Sequence, residues 1–370
     1  MKRLLVVSDP PAAPGFLPRL RYMCDFLMQK GHSVTLLTEE YQPLEFAHQY
    51  DIITIPMYRG TTIDWMIKSI WTLLTDWHNT AFAKKAIQLL NDQIFDAVIC
   101  TSFSDFPLGA AQQIASYYHI PLLCDIRDLD EQVENSTYQY HHQNRFLMLF
   151  RRLYRTIHIR RRNNVLRTAD IVTTVSPWHK AFIAQFNTNV HIIYNGYDEN
   201  QFYPKDIITD AFKITYIGSL FEWQKSAMQT VQRAIKELGL PISLDVHTPK
   251  DNPIHHENLG DAIRQSSMML VCTSPNTHGM LTTKFYEALG CKKPILCVPS
   301  DLGSLADLIN YTNAGIATDD IETIKSFITT NYNQWTKNGY TRQNTLHHEE
   351  FSRRAQCEQL ERIINTHLHD

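Results

Sequence analysis

The chain has 370 residues, 44% hydrophobic and 20% charged, with a net charge of −3. That balance suits a globular protein of two domains and argues against general nucleic-acid binding, and no apolar run of about eighteen residues is present to span a bilayer. Seven cysteines, an odd number, mostly close apolar runs such as DAVIC, PLLC, MMLVC and PILC, which reads as reduced core thiols of a cytoplasmic protein rather than a disulfide framework.

The start, MKRLLVVSDPP, is basic then apolar but too short for a signal peptide. Leu4 to Val7 reads as a buried strand, Pro10 to Pro18 as a loop containing Gly15, Arg19 to Lys30 as a helix, and Val34 to Leu37 as the next strand. This is a βαβ unit without Gly-x-Gly-x-x-Gly, so no dinucleotide site is indicated. Residues 61–90 place Trp65, Trp71 and Trp77 with Ile67, Ile70, Leu73 and Leu74 among Lys68, Lys84 and Lys85. Aromatic residues at helical spacing are the usual content of a helix–sheet core; indoles with lysines also suit a bilayer interface, and both readings stay open.

Strands are expected at Asp96 to Cys100 and Pro121 to Asp125. Asp125, Arg127 and Asp128 then fall at a C-terminal strand end, where open α/β sheets place their ligand crevice, although three such charges can also simply pair with one another. Arg145 to Arg167 carries eight arginines and no acid, interleaved with Phe146, Leu149, Phe150, Leu153 and Ile157. It reads as a basic amphipathic helix that meets either anionic lipid or acids elsewhere in the protein. A strand follows, ending at Ser176-Pro177, and the turn Asn195-Gly196 with the polar residues up to Pro204 suggests a linker.

Lys213 to Gly218, Leu244 to His247 and Met268 to Cys272 read as strands of a second sheet. Between Thr273 and Pro299 the pattern is strand end, glycine turn, short helix, strand. Leu281, Phe285, Ala288 and Leu289 share one helix face, Thr282 or Thr283 can cap its start, and Gly290 suits a left-handed position after its end. Gly279 lets backbone N–H groups approach an anion such as phosphate. Lys284 and Glu287 lie three apart, so an ammonium for phosphate and a carboxylate for sugar hydroxyls can point the same way; an idle exposed ion pair is the plain alternative. Ser300 to Ile324 completes the sheet and Phe351 to Leu368 is a last helix. The adjacent histidine pairs 141–142, 255–256 and 347–348 lack metal-site spacing, and no Gly-x-Ser-x-Gly or Walker loop supports a hydrolase or kinase.

Several of these segments resemble family-4 glycosyltransferases. KFYEALGCKKPIL is similar to the family's donor-site segment, SDPPAAPGFLPRLRYMCDFLMQKGHSVTLLT to its opening, TSFSDFPLGAAQQIASYYHIPLLCDIRDLD to a segment of a bacterial branch that builds surface polysaccharides, and VHIIYNGYDENQFYP to its interdomain link. The resemblance implies an α/β fold of two Rossmann-like domains facing a cleft (GT-B), with domains over 1–195 and 205–350 and a C-terminal helix, 351–370, crossing back. It implies a retaining transfer of a hexosyl-type sugar from a UDP- or GDP-linked donor to a saccharide or lipid-linked acceptor, without metal or other cofactor, in the cytoplasm or at the inner face of the cytoplasmic membrane. By the same resemblance Asp128, Lys225 and Lys284 are the catalytic candidates. Gly15, Gly218, Ser219, Thr277, His278, Gly279, Met280, Leu281 and Glu287 line the donor, with Glu287 on the ribose, and Asp125 and Arg127 lie on the acceptor side. This chain departs from the family in four places. The first Glu of Glu-x7-Glu is Gly279, the usual Pro-Trp is Leu129-Asp130, the arginine expected beside the Gly218 loop is missing, and the connection between the strands ending at His247 and Cys272 is short. The missing glutamate motivates one rival, a non-catalytic GT-B scaffold subunit; a second rival, a nucleotide-sugar epimerase on the same fold, would want further acids and histidines in the cleft.

Overall fold

The computed structural model describes residues 1–8, 18–40, 50–57, 62–91, 93–102, 104–129, 131, 145–273 and 279–367. Among them, packing divides the chain into two compact units. One comprises 1–131, 145–193 and 357–367, and the other 194–356.

The first unit alternates strand and helix: β1 (Arg3–Ser8), α1 (Pro18–Gln29), β2 (Ser33–Glu39), β3 (Asp51–Ile55), α2 (Thr62–Thr75), α3 (Trp77–Leu90), β4 (Ala97–Ser102), α4 (Leu108–Tyr118), β5 (Leu122–Ile126), α5 (Arg145–Thr168), β6 (Ile171–Thr174), α6 (Pro177–Ile183) and β7 (Val190–Ile192). The strands form one parallel sheet ordered β3-β2-β1-β4-β5-β6-β7. Apolar runs without alternation are what a sheet covered on both faces requires, and the pleat sends neighbours to opposite sides. Leu5 and Val7 thus join Val98, Cys100 and Cys124 under α3 and α4, while Leu4 and Val6 join Ile99 and Leu123 under α1.

The second unit repeats the plan with β8 (Phe212–Ile217), α7 (Lys225–Leu238), β9 (Ile242–His247), α8 (Leu259–Gln265), β10 (Met268–Cys272), α9 (Thr283–Gly290), β11 (Ile295–Val298), α10 (Ser304–Tyr311), β12 (Gly315–Ala317) and α11 (Ile321–Asn338). Its parallel sheet runs β12-β11-β10-β8-β9. Helix α12 (Arg353–His367) then places Cys357, Leu360, Ile363 and Ile364 in the first unit's core, against the α1 face.

Local outcomes differ from expectation in three places. Residues 61–90 form two helices, because Asp76 takes a left-handed backbone conformation (φ 56°) between α2 and α3. The stretch 195–205, expected as a polar linker, packs into the second unit, where Tyr197 and Phe202 are buried beside Phe285 and Phe351. Gly290 belongs to α9 itself. The left-handed residue after that helix is Lys292 (φ 52°), and glycine is needed at 290 because a methyl group there would lie 2.6 Å from the Tyr197 ring and 2.8 Å from the Phe202 carbonyl oxygen. All seven cysteines are buried and none forms a disulfide, and among the described residues no helix is long and apolar enough to cross a membrane.

His179, in the first turn of α6, donates its backbone N–H to the Ser176 hydroxyl, and burial, with the nearby Arg162 guanidinium, pulls its imidazole from 6.5 down to about 4. The folded state therefore binds this proton later than the unfolded chain on acidification. Stability is lost as pH falls from 6.5 through 4, by about 3 kcal/mol from this group at most. Urea midpoints at pH 7 and near pH 4 should differ less in a His179→Leu protein than in the parent; equal differences would assign the acid sensitivity elsewhere.

Candidate functional site

In the second sheet the strand order reverses between β8 and β10, and an open α/β sheet presents its ligand crevice beyond the C-terminal strand ends at such a point. Gly218 follows β8 and Thr273 follows β10. The loop after β8 is held from below: the Tyr216 hydroxyl donates to Ser219 O at 2.6 Å, and Gln224 Oε1 accepts from Phe221 N at 2.9 Å. Ser219 is thereby fixed at the rim, exposed.

Helix α9 brings the cation. Thr282 is its N-cap, with the hydroxyl facing Lys284 N at 3.4 Å, and Leu281, Phe285, Tyr286, Ala288 and Leu289 bury the opposite face. Lys284 and Glu287 stay half-buried on the face that remains. The Lys284 chain lies directly on the Gly218 backbone, where an added Cβ would meet Cε at 2.4 Å and Nζ at 2.7 Å, and Gly218 has φ +138°. Its ammonium sits 5.8 Å from the Tyr216 ring centroid and makes no hydrogen bond with the other described residues. Burial pulls the Lys284 pKa down, while Glu287 and Cys272 oppose that pull. Burial pushes the Glu287 carboxyl up, against Lys284, Arg353 and a hydrogen bond from Thr283. Burial thus disfavours the charged form of both side chains, and each opposes that effect in the other.

One residue without a signal in the sequence belongs to this arrangement. Arg353, buried at the start of α12, faces Glu287 electrostatically and lies 3.9 Å from the Asp198 carboxylate. It is held there because Arg353 N donates to Tyr197 O at 2.8 Å and Tyr197 N to Phe351 O at 3.0 Å. Spacing cannot reveal a partner more than sixty residues from Glu287.

The remaining candidates are placed as follows. Gly279 is buried and Met280 half-buried just ahead of α9. Gly15, Thr277 and His278 lie outside the described residues. Lys225 is exposed at the start of α7 and pairs with Glu222 at 2.6 Å. In the first unit, Asp125 is internal. Arg19 Nη2 (2.8 Å), Thr173 Oγ1 (2.8 Å) and Thr101 Oγ1 (3.1 Å) donate to its carboxylate, which therefore orders the strand ends instead of offering free oxygens. Arg127 is half-buried, with its N–H on Ser102 O at 3.2 Å, and Asp128 is exposed. Beyond the end of β4, sequence reasoning missed a buried pair in which His158 Nδ1 meets Asp105 Oδ1 beneath the Tyr154 ring. Among the described residues no group of three or more His, Cys, Asp or Glu side chains is placed to hold a metal ion.

Over its whole length the chain is similar in fold to a glycosyltransferase from Rickettsia africae ESF-5 (TM-score 0.59, 11% identity, covering 100% of this chain and 99% of that one). It is similar also to a protein titled a putative UDP-N-acetylglucosamine 2-epimerase from Listeria monocytogenes (0.57, 12%, 99% and 96%) and to MurG of Acinetobacter baumannii (0.51, 13%, 99% and 99%). At such identities the likeness is one of fold alone. No curated protein matches the chain by sequence. The two parallel sheets flanked by helices define the class, a GT-B glycosyltransferase fold. Residues 19–201, just under half of the chain, match the family model described as Glycosyltransferase Family 4.

Gly218→Ala tests the Lys284 cradle. The new methyl displaces the Lys284 chain and meets a φ reserved for glycine, a combination that costs about 1–3 kcal/mol. A chemical-denaturation midpoint lowered to that extent, with the far-ultraviolet circular dichroism unchanged, is expected; a midpoint equal to the parent's would mean that Lys284 does not rest on Gly218.

Proposed function

We propose that the protein is a retaining, metal-independent glycosyltransferase that moves a hexosyl-type sugar from a UDP- or GDP-linked donor to a saccharide or lipid-linked acceptor in cell-surface polysaccharide synthesis, working in the cytoplasm and in peripheral contact with the inner face of its membrane. One observation supports the donor site above all others: the Lys284 ammonium, resting on the Gly218 backbone at the strand-order switch and without a hydrogen-bond partner among the described residues, with Glu287 one turn further along α9. A cation in that position can pair with a diphosphate, and a carboxylate beside it can accept ribose hydroxyls. As the glycosidic bond to the donor phosphate breaks, negative charge grows on the departing diphosphate. A preorganised ammonium and backbone amides near Gly279 lower that barrier without metal. In the retaining reading, the acceptor oxygen bonds to the sugar carbon on the face the diphosphate leaves, and the diphosphate oxygen takes the acceptor proton. Lys225 would add long-range attraction only, since Glu222 already pairs with it. Asp128, exposed beyond β5, is the acceptor-side candidate.

Glu287→Ala and Lys284→Ala should each weaken nucleoside diphosphate binding by about 1.5–3 kcal/mol, the range for a charged hydrogen bond, and Lys225→Ala by less. Affinity should also fall above neutrality sooner than for an ordinary lysine, because Lys284 is depressed, and fall on acidification sooner than for an ordinary carboxylate, because Glu287 is raised. Calorimetry across pH measures both effects, and unchanged affinity in a folded Glu287→Ala protein would remove the assignment. Slow donor hydrolysis in a panel of nucleotide sugars marks a transferase. Binding without any turnover would mark a scaffold, and a donor changed only in sugar configuration would mark an epimerase.

A further inference from the structure

Helix α2 is built inside out. Its apolar residues Ile63, Ile67, Ile70, Trp71 and Leu74 are 72%, 51%, 50%, 53% and 71% exposed, and they recur at the three- and four-residue intervals that line one face. Two polar side chains point the other way. Thr72 is buried, and Lys68 reaches inward to Met57 O (2.7 Å) and to Asp64 (2.8 Å). An ordinary surface helix buries such a stripe, and contiguous apolar surface left in solvent marks an interaction site. The row from Ile63 to Leu74 spans twelve residues, about 16 Å along the helix.

The chemistry beside the row selects its partner. Arg161 of α5 donates to Thr72 O (2.7 Å) and Leu73 O (2.9 Å), so the arginine-rich helix abuts the end of α2. On α5, which contains no acid, Arg152, Leu153, Tyr154 and Arg160 are exposed. The nearby acids are already engaged, Asp64 by Lys68 and Asp76 by Asn79 and Arg161. An apolar row with an indole, flanked by the exposed Arg152 and Arg160, matches the boundary between acyl chains and anionic headgroups. A second copy of the chain fits poorly, since a two-fold contact through this face would set each cationic flank against its own image.

We infer that α2 inserts its Ile63–Leu74 row into the surface of an anionic bilayer while the exposed arginines of α5 hold the headgroups. This locates the membrane contact that the transferase reading assumes, yet it stands or falls by binding alone, without any activity. The test is flotation of the full chain with phosphatidylcholine vesicles, with and without phosphatidylglycerol. The parent should float with the anionic vesicles, release at high salt, and show a blue shift in its emission that Trp71→Phe removes. Ile67→Glu with Leu74→Glu, both on exposed positions, should cut partitioning at least about tenfold. Arg152→Glu with Arg160→Glu should cut it about fivefold per charge and flatten the salt dependence. Nucleotide binding in the α2 variant should equal the parent's, which separates a failure here from a failure of the donor site. The inference is overturned if the parent stays unbound with both lipids, if the α2 variant floats as well as the parent, or if the parent is a dimer that Ile67→Glu with Leu74→Glu dissociates.

Discussion

The carboxylate of Asp125 is the tie on which the first unit's ligand edge depends. Its oxygens receive hydrogen bonds from β4 through Thr101, from β6 through Thr173 and from α1 through Arg19. Arg19 in turn donates to Ile193 O at 2.9 Å, at the residue where the chain leaves the unit. A charge this deeply placed is tolerable only when paired and fully hydrogen-bonded, and removing one partner strands the rest. Three strand ends, one helix start and the exit of the chain therefore share a single anchor. Asp125 thereby fixes the backbone three residues before the exposed Asp128.

The second unit solves the same problem by steric means. Gly218 and Gly290 remove side chains where Lys284 and the Tyr197 ring must pass, so α9 is held at one end by contact with the β8 loop and at the other by the segment 197–202. Lys284 and Glu287 ride on a helix clamped at both ends, and Arg353 reaches the same helix from α12. In the proposed function, such a rigid support lets the ammonium meet growing charge without reorganising.

Most of the fold was legible in the chain. Unbroken apolar runs such as LLVV and MMLV, separated by helical periodicity, specify covered parallel strands, and the motif around Lys284 pointed to the sheet's ligand end. What escaped follows from the limits of periodicity. Spacing shows that Ile63, Ile67, Ile70 and Leu74 share a face, but it cannot show that the face looks outward, because that depends on Lys68 and Asp64 finding partners inside. Gly290 was read as a helix terminator because local pattern offers no other use for it; its real constraint is Tyr197, 93 residues earlier. The Asp105–His158 and Glu287–Arg353 relations are likewise long-range and carry no local signature.

The placement of α12 has a consequence for biosynthesis. Cys357, Leu360, Ile363 and Ile364 fill the α1 face of the first unit, yet the ribosome makes them only after the whole of 194–356. The usual vectorial order, in which an N-terminal domain is complete before the next emerges, is therefore reversed. The second unit, contiguous over its described residues, can finish first, while the first waits with Leu20, Phe26 and Leu27 uncovered. During that wait the nascent chain shows an apolar face to the cell, and the interval is set by the time needed to translate a full second unit.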